Sequence, residues 1–445
     1  MKNKNLLNTN ITRKDFVKTT SLFAGGGLLL GSLPVGVSAY AAGNDTLKVA
    51  VIGCGGRGTG AANQALNADP GVKIVALADL FRDRIDQCYD ALSQRHLETG
   101  RLDVPEEHKF TGFDAYKEAT ALADVVILTA PPGFRPAHFE EAVKAGKHMF
   151  IEKPVATDAP GVRRVLEAAK EAREKKLNMV LGLQRRYQNN YRETYKRIQD
   201  GEAGDIVSGQ VYWNDGGVWV REREADMGEV EYQVRNWFYF TWLAGDHILE
   251  QNIHNIDVAN WFIGEYPKTA QGMGGREVRT DKKFGQIFDH HFVEYTYPGG
   301  AVISAQCRHQ QNTFARVAEN FQGTRSNIYV DSNNRAEIHG RDGTVHFDHD
   351  GMNDPNPYQQ EHDELFAAIR SGEVLDDIDY GAKTTLTAIM GRMATYSGQM
   401  ITWDDAMNSD AQLMPDYVAW DMEPPVLPDE NGYYPVPVPG VSPPH

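Results

Sequence analysis

Cysteine is scarce in this chain of 445 residues: there are three, Cys54, Cys88 and Cys307, far apart and with no CxxC pair. That argues against a disulfide framework and a zinc–thiolate site. Positive charge is short as well. Lys and Arg number 45 against 61 Asp and Glu, a formal net charge of −16. No basic stripe is interleaved with aromatics, so a nucleic-acid partner, which needs clustered Lys and Arg, is not expected. No apolar run suits stable membrane insertion: the stretch 22–33 (LFAGGGLLLGSL) is too short and too rich in glycine to span a bilayer. Internal repeats are absent. What is present is an ordinary globular composition, at a length that suits two domains plus appendages.

Residues 1–42 read as a targeting segment. Lys2, Lys4, Arg13, Lys14 and Lys18 precede the apolar stretch, and Ala39-Tyr40-Ala41 fits a small-x-small cleavage site. This is the order of a secretory signal. Residues 12–18 (TRKDFVK) resemble the twin-arginine export motif, with Lys14 where a second Arg is expected. That route carries folded proteins, so a cofactor can be loaded before export. The expectation is a periplasmic protein, the alternative a cytoplasmic one.

Strands expected at 47–52, 72–78, 123–130, 148–151 and 178–182 alternate with helices from about 57, at 135–145 and at 160–176. This rhythm predicts an α/β fold with a doubly wound parallel sheet over 46–183. After about 184 the apolar pattern alternates as in antiparallel strands, at 206–213, 291–297 and 301–306, with a hairpin turn at Tyr297-Pro298-Gly299-Gly300. Helices are expected at 248–262, 361–370 and 382–397. The reading is a second, α+β domain over 184–400 with a large, mostly antiparallel sheet. Residues 401–445 form an extension, Pro-rich from about 423, either an extended arm or a disordered tail.

Gly53-Cys54-Gly55-Gly56-Arg57-Gly58 is a GxGxxG match between an apolar strand and a helix. In that context Gly53 permits a tight turn, Gly55 lets the backbone approach a pyrophosphate, and Gly58 brings the helix close to the strand. Cys54 reads as a small packing residue. Asp79 lies 21 positions after Gly58, at the end of the second strand. A carboxylate there accepts hydrogen bonds from ribose hydroxyls and repels a 2′-phosphate, so NAD is expected over NADP, although Arg82 lies near.

With Glu152-Lys153-Pro154 about a hundred residues after the glycine loop, the sequence from about 46 to 400 resembles the Gfo/Idh/MocA oxidoreductases (glucose–fructose oxidoreductase, inositol dehydrogenase). The resemblance implies that Lys153 sits beside the nicotinamide and the substrate hydroxyl, with Glu152 at the cofactor. It also implies that His254, in Glu250-Gln251-Asn252-Ile253-His254-Asn255-Ile256-Asp257, is the acid/base histidine. This run departs from the family's Asp-x-Gly-x-His-x-x-Asp at Glu250 and Asn252. Glu250, His254 and Asp257 are spaced to share one face of a regular helix. The family places substrate contacts near Gln184-Arg185-Arg186-Tyr187, which makes Arg186 and Tyr187 candidates beside Glu250 and Asp257. Trp213, Trp219, Trp237, Tyr239 and Trp242 are dense enough for sugar stacking, or for a core. Asp289-His290-His291 looks like a metal ligand set, but no second spaced set supports it, so no metal is expected. The implied reaction is hydride transfer between a secondary alcohol of a sugar, glycoside or polyol and NAD. The alternatives are a glycosidase that uses NAD through a transient 3-keto intermediate, and a non-catalytic sugar-binding protein. A homodimer or homotetramer is implied as well.

Overall fold

The computed structural model describes residues 46–445; the targeting segment lies outside the described residues. Six strands form the first sheet: β1 Leu47–Ile52, β2 Val72–Asp79, β3 Lys109–Thr111, β4 Val125–Leu128, β5 His148–Ile151 and β6 Met179–Leu181. Their order is β3-β2-β1-β4-β5-β6, and every pairing is parallel. Five of these strands are the expected ones. The sixth, β3, is three residues long and carries no readable period. Strands β4 and β5 are almost wholly apolar because helices cover both faces, as a parallel sheet requires. The strand order reverses between β1 and β4, which opens a crevice at the carboxyl ends of those two strands.

Nine strands form the second sheet: β7 Ile206–Asp215, β8 Thr269–Gly275, β9 His290–Thr296, β10 Val302–His309, β11 Arg316–Gly323, β12 Ser326–Asp331, β13 Ala336–Gly340, β14 Val345–His349 and β15 Ile401–Thr402. The order is β14-β13-β12-β11-β7-β10-β9-β8-β15, with one parallel pair, β7 and β10. The expected hairpin joins β9 to β10, closed by Tyr297 N–H to the Ala301 carbonyl at 2.9 Å. Burial along β10 alternates strictly, so one face is covered. Helices Ile253–Ile263 and Ile378–Ser397 cover it. The second of these is buried along almost its whole length because it also packs against β6 and helix Ala159–Glu174 of the first sheet's layer.

The chain then returns to where it started. Helix Pro357–Ser371 packs on helix Gly56–Ala68 and on β5 and β6. Residues 375–377 extend the first sheet: Met179 N–H donates to the Leu375 carbonyl at 2.8 Å, and Asp377 N–H to the Met179 carbonyl at 2.9 Å. Beyond helix Trp403–Met407 the chain has no regular structure, and it is an arm held on the body. The Trp420 ring lies 4.7 Å from Phe113 and 5.5 Å from Phe81, Tyr434 donates to Glu229 Oε1 at 2.5 Å, and Gly440 N–H donates to the Ser397 carbonyl at 2.8 Å. Among the described residues, no helix is long and apolar enough to cross a membrane.

Candidate active site

The crevice between β1 and β4 holds a cavity of about 330 Å³, lined by Ile52, the glycine loop, Asp79 and Thr129–Pro131 (residues 129–131). Helix Gly56–Ala68 starts there, with its free N–H groups facing the space where a pyrophosphate binds. The loop fits a dinucleotide by a direct steric test. Gly53 has φ +100°, and a Cβ on it would lie 2.4 Å from Ala130 N. A Cβ on Gly58 would lie 1.9 Å from the Gly53 carbonyl oxygen. Cβ atoms on Gly55 and Gly56 would meet nothing within 4 Å, so these two face the open space of the cavity.

Gly58→Ala is therefore expected to lower both the melting temperature and NAD affinity. Gly55→Ala should lower affinity alone, by about tenfold, or ~1.4 kcal/mol. Calorimetric titration beside thermal unfolding separates the two; a Gly55→Ala chain that binds NAD normally would remove the pyrophosphate from this loop.

Asp79 forms part of the cavity wall. Its Oδ2 accepts from Cys54 N–H at 2.7 Å and its Oδ1 from Phe81 N–H at 3.0 Å, which fixes the carboxylate at the ribose end of the loop. Arg82 turns outward to Asp86 and Glu106, and the cavity is lined by Arg84 instead. Cys54 is buried and donates to the Ala78 carbonyl, in keeping with a packing role. Across the cavity stand Trp219, Arg221, Val234, Arg235 and Trp237, from the segment between β7 and helix Thr241–Ala244. The Arg235 guanidinium lies 3.8 Å from the Phe81 ring centroid and pairs with Asp83 at 3.3 Å, so this segment is tied to the cofactor domain.

Arg57 does not stand free at the phosphates. Its guanidinium is paired with Glu152 and lies 3.2 Å from Glu361, between the rings of Phe150 and Tyr358. Arg57 and Glu152 thus clamp the glycine loop to the start of the Lys153-Pro154 turn. Lys153 Nζ donates to the Glu250 carbonyl at 2.5 Å and lies 3.3 Å from Glu250 Oε2. Burial raises the Glu250 carboxyl, and Lys153 opposes that shift. His254 is buried, lies against the Trp213 ring at 5.7 Å, and has an Nδ1 without a hydrogen-bond partner. Burial, and then the cations Lys153, Arg185 and Arg57, hold its imidazole well below the usual histidine range. The ring is neutral at pH 7 and can accept a proton.

The shared helical face expected for Glu250, His254 and Asp257 is not what forms. Residues Ile248–Asn252 make a π-helical turn before helix Ile253–Ile263 begins. The wider turn changes the phase between Glu250 and the residues after it. Asp257 is in a bidentate pair with Arg186 at 2.7 and 2.9 Å, and also accepts from Thr384 at 3.0 Å. The Tyr187 hydroxyl donates to Asp377 at 2.7 Å. Arg186, Tyr187 and Asp257, expected as substrate contacts, are here engaged in internal contacts at the junction between the sheets. Arg185, which the sequence does not single out from Arg186, is the arginine turned toward the site. It is buried, paired with Glu319, and its guanidinium lies 5.8 Å from the Trp213 ring centroid. Of the five aromatics, Trp213 meets His254, Trp219 and Trp237 line the cofactor cavity, and Tyr239 and Trp242 are core.

Residues 47–179 match the family described as "Oxidoreductase family, NAD-binding Rossmann fold", and residues 191–346 match the GFO/IDH/MocA C-terminal domain. The chain belongs to the Gfo/Idh/MocA family. An inositol 2-dehydrogenase/D-chiro-inositol 3-dehydrogenase of Halalkalibacterium halodurans is 27% identical over 59% of this chain and 65% of that protein. Inositol 2-dehydrogenase 3 of Saccharopolyspora erythraea is 26% identical over 59% and 66%. The match thus spans slightly less than two thirds of these relatives. Among solved structures, aldose-aldose oxidoreductase from Caulobacter crescentus has the same fold, with a TM-score of 0.63 and 18% identity over 80% of this chain and 99% of that one. Scyllo-inositol dehydrogenase from Lactobacillus casei, solved with NAD(H) and scyllo-inositol, gives 0.61 and 18% over 81% and 100%.

Proposed function

We propose that the chain oxidises a secondary alcohol of a sugar, glycoside or polyol, reversibly, with NAD held in the crevice of the first sheet. The observation that carries this is that Lys153, held by Glu250, lies within electrostatic reach of the buried, neutral His254. His254 takes the hydroxyl proton as the C–H bond breaks. Lys153 donates to the reacting oxygen and stabilises its developing negative charge. Glu250 holds Lys153 in place, and Trp213 fixes the imidazole plane. NAD, when bound, supplies the hydride acceptor. The inositol dehydrogenases among the relatives support a polyol or sugar as substrate.

The cavity is walled by both domains, which supports a resident cofactor that is reoxidised in place. Residues 12–18 support export by the twin-arginine route to the periplasm, where a released cofactor would be lost. The family resemblance supports a homodimer or homotetramer. Mass spectrometry of the purified protein, with its released ligand, before and after incubation with a panel of polyols, sugars and glycosides tests the reading. The expected result is co-purified NAD and a substrate two hydrogens lighter. A hydrolysed glycoside with no net redox change would favour the glycosidase. An enzyme purified empty that needs millimolar NAD would sink the resident cofactor.

A further inference from the structure

The expected metal-like run Asp289-His290-His291 is divided by strand β9. Asp289 accepts from the backbone N–H groups of Glu277, Val278 and Arg279 and from His290, whose side chain is part-exposed. His291, one residue on, points to the covered face. There it meets Asp246 and His247, which immediately precede the π-helical turn that carries Glu250.

Asp246 is completely buried, with φ +82° in the left-handed region. Its carboxylate accepts from Phe288 N–H at 3.1 Å, from the Tyr396 hydroxyl at 2.5 Å and from its neighbour's backbone N–H. These donors favour the ionised form, yet among the described residues no arginine or lysine pairs with it. Arg392 and Arg276 lie nearby, but each donates to backbone carbonyls: Arg392 to Thr157 and Gly245, Arg276 to Gly285 and Asp281. A buried carboxylate of this kind is stabilised by a compensating cation.

The surroundings of His291 show where that cation belongs. Its Nδ1 is 2.9 Å from Thr395 Oγ1, whose hydroxyl can donate to the carbonyl of Gly391 or Arg392 at 3.0 and 3.1 Å and so accept from the imidazole. In that tautomer the lone pair on His291 Nε2, which has no hydrogen-bond partner, faces Asp246 Oδ2 at 3.3 Å. On the other carboxylate oxygen, His247 Nδ1 lies at 2.9 Å. One donor atom from each of the three residues falls within a 4.8 Å group. A tetrahedral ion with bonds of about 2.0–2.1 Å sets donors ~3.4 Å apart, the spacing of His291 Nε2 and Asp246 Oδ2. The Thr395 bond to His291 and the Tyr396 bond to Asp246 are the outer contacts that orient metal ligands.

We propose that Asp246, His247 and His291 hold one divalent transition-metal ion, zinc by donor chemistry, that pins the start of the Glu250–His254 segment to the second sheet. The ion is structural: all three ligands are sealed from solvent, and Lys153 is engaged with Glu250 rather than with them. The competing arrangement is a protonated His291 paired with Asp246. Full-length chain without a histidine tag, produced with zinc in the medium and gel-filtered, is assayed for metals by inductively coupled plasma mass spectrometry. The expected result is about one zinc per chain, lost in His291→Gln and in His247→Gln. Chain loaded with cobalt(II) instead should show the visible absorption of a tetrahedral site. Should the variants fail to fold, the wild-type stoichiometry and cobalt spectrum still decide. Wild-type chain that is metal-free and whose melting temperature ignores added zinc would overturn the proposal, as would stoichiometric zinc retained in both variants.

Discussion

Lys153→Ala and His254→Ala are each expected to lower turnover by about 10²- to 10⁴-fold while the chain still binds NAD. Neither side chain contributes to the glycine loop, so calorimetric titration should still show NAD binding. Near-normal turnover in either variant would place the chemistry elsewhere. A pH profile adds a reading that a packing role would not move. His254 is held neutral by burial and by three cations, Lys153 foremost. In the wild type, alcohol oxidation should therefore persist below pH 6.5, because the imidazole stays deprotonated there. In Lys153→Met one of those cations is gone, the histidine pKa rises, and the acidic limb of the residual activity should move to higher pH.

Glu319→Leu is expected to destabilise the fold by about 3–5 kcal/mol, the cost of leaving a buried charge unpaired. Glu319 receives Arg185, the Tyr191 hydroxyl at 2.9 Å and the Asn255 amide at 2.6 Å. The two ends of the ion pair are not equivalent. Burial pushes the Glu319 carboxyl up to about 7, so without Arg185 it can take up a proton and become neutral. The guanidinium has no such escape, since it stays charged in proteins. Arg185→Met should thus cost less than Glu319→Leu in urea unfolding at pH 7. The sign with pH follows from the raised carboxyl. The fold holds a proton there that the unfolded chain releases above about pH 4.3, so this group's contribution is full below that pH and lost as pH rises toward 7. Equal midpoints for Glu319→Leu and wild type would mean that the cluster is not under load.

The sequence made the nucleotide-binding half readable because its signals are local. A glycine loop between an apolar strand and a helix, an acid at the next strand end and a Lys-Pro turn each lie within a few residues. The second half was less legible because its decisive features are phases and long-range returns. The π-helical turn at Ile248–Asn252 leaves the residue spacing intact but shifts the phase of Glu250 against His254 and Asp257, and no propensity marks it. Arg185 and Arg186 are adjacent on a short 3₁₀ turn, Gln184–Tyr187, so which of them faces Trp213 depends on a twist that the residues do not encode. His290 and His291 are separated by strand alternation, and the partners of His291 lie on a different element about forty positions earlier in the chain. The prolines of the C-terminal arm rule out regular structure there but do not show that Trp420 and Tyr434 find aromatic partners on the body.

The return of residues 375–377 to the open side of β6 sets a timetable for synthesis. Asn178 and Leu375, which share a hydrogen bond there, are 197 positions apart. At about 5–20 residues per second, a ribosome needs roughly 10–40 s to cover that interval. Throughout it, the nascent nucleotide-binding half carries an unpaired strand edge that invites pairing with another chain. A gene truncated after the first half would leave that edge exposed permanently, and such a product should collect in inclusion bodies unless residues 357–377 are supplied beside it.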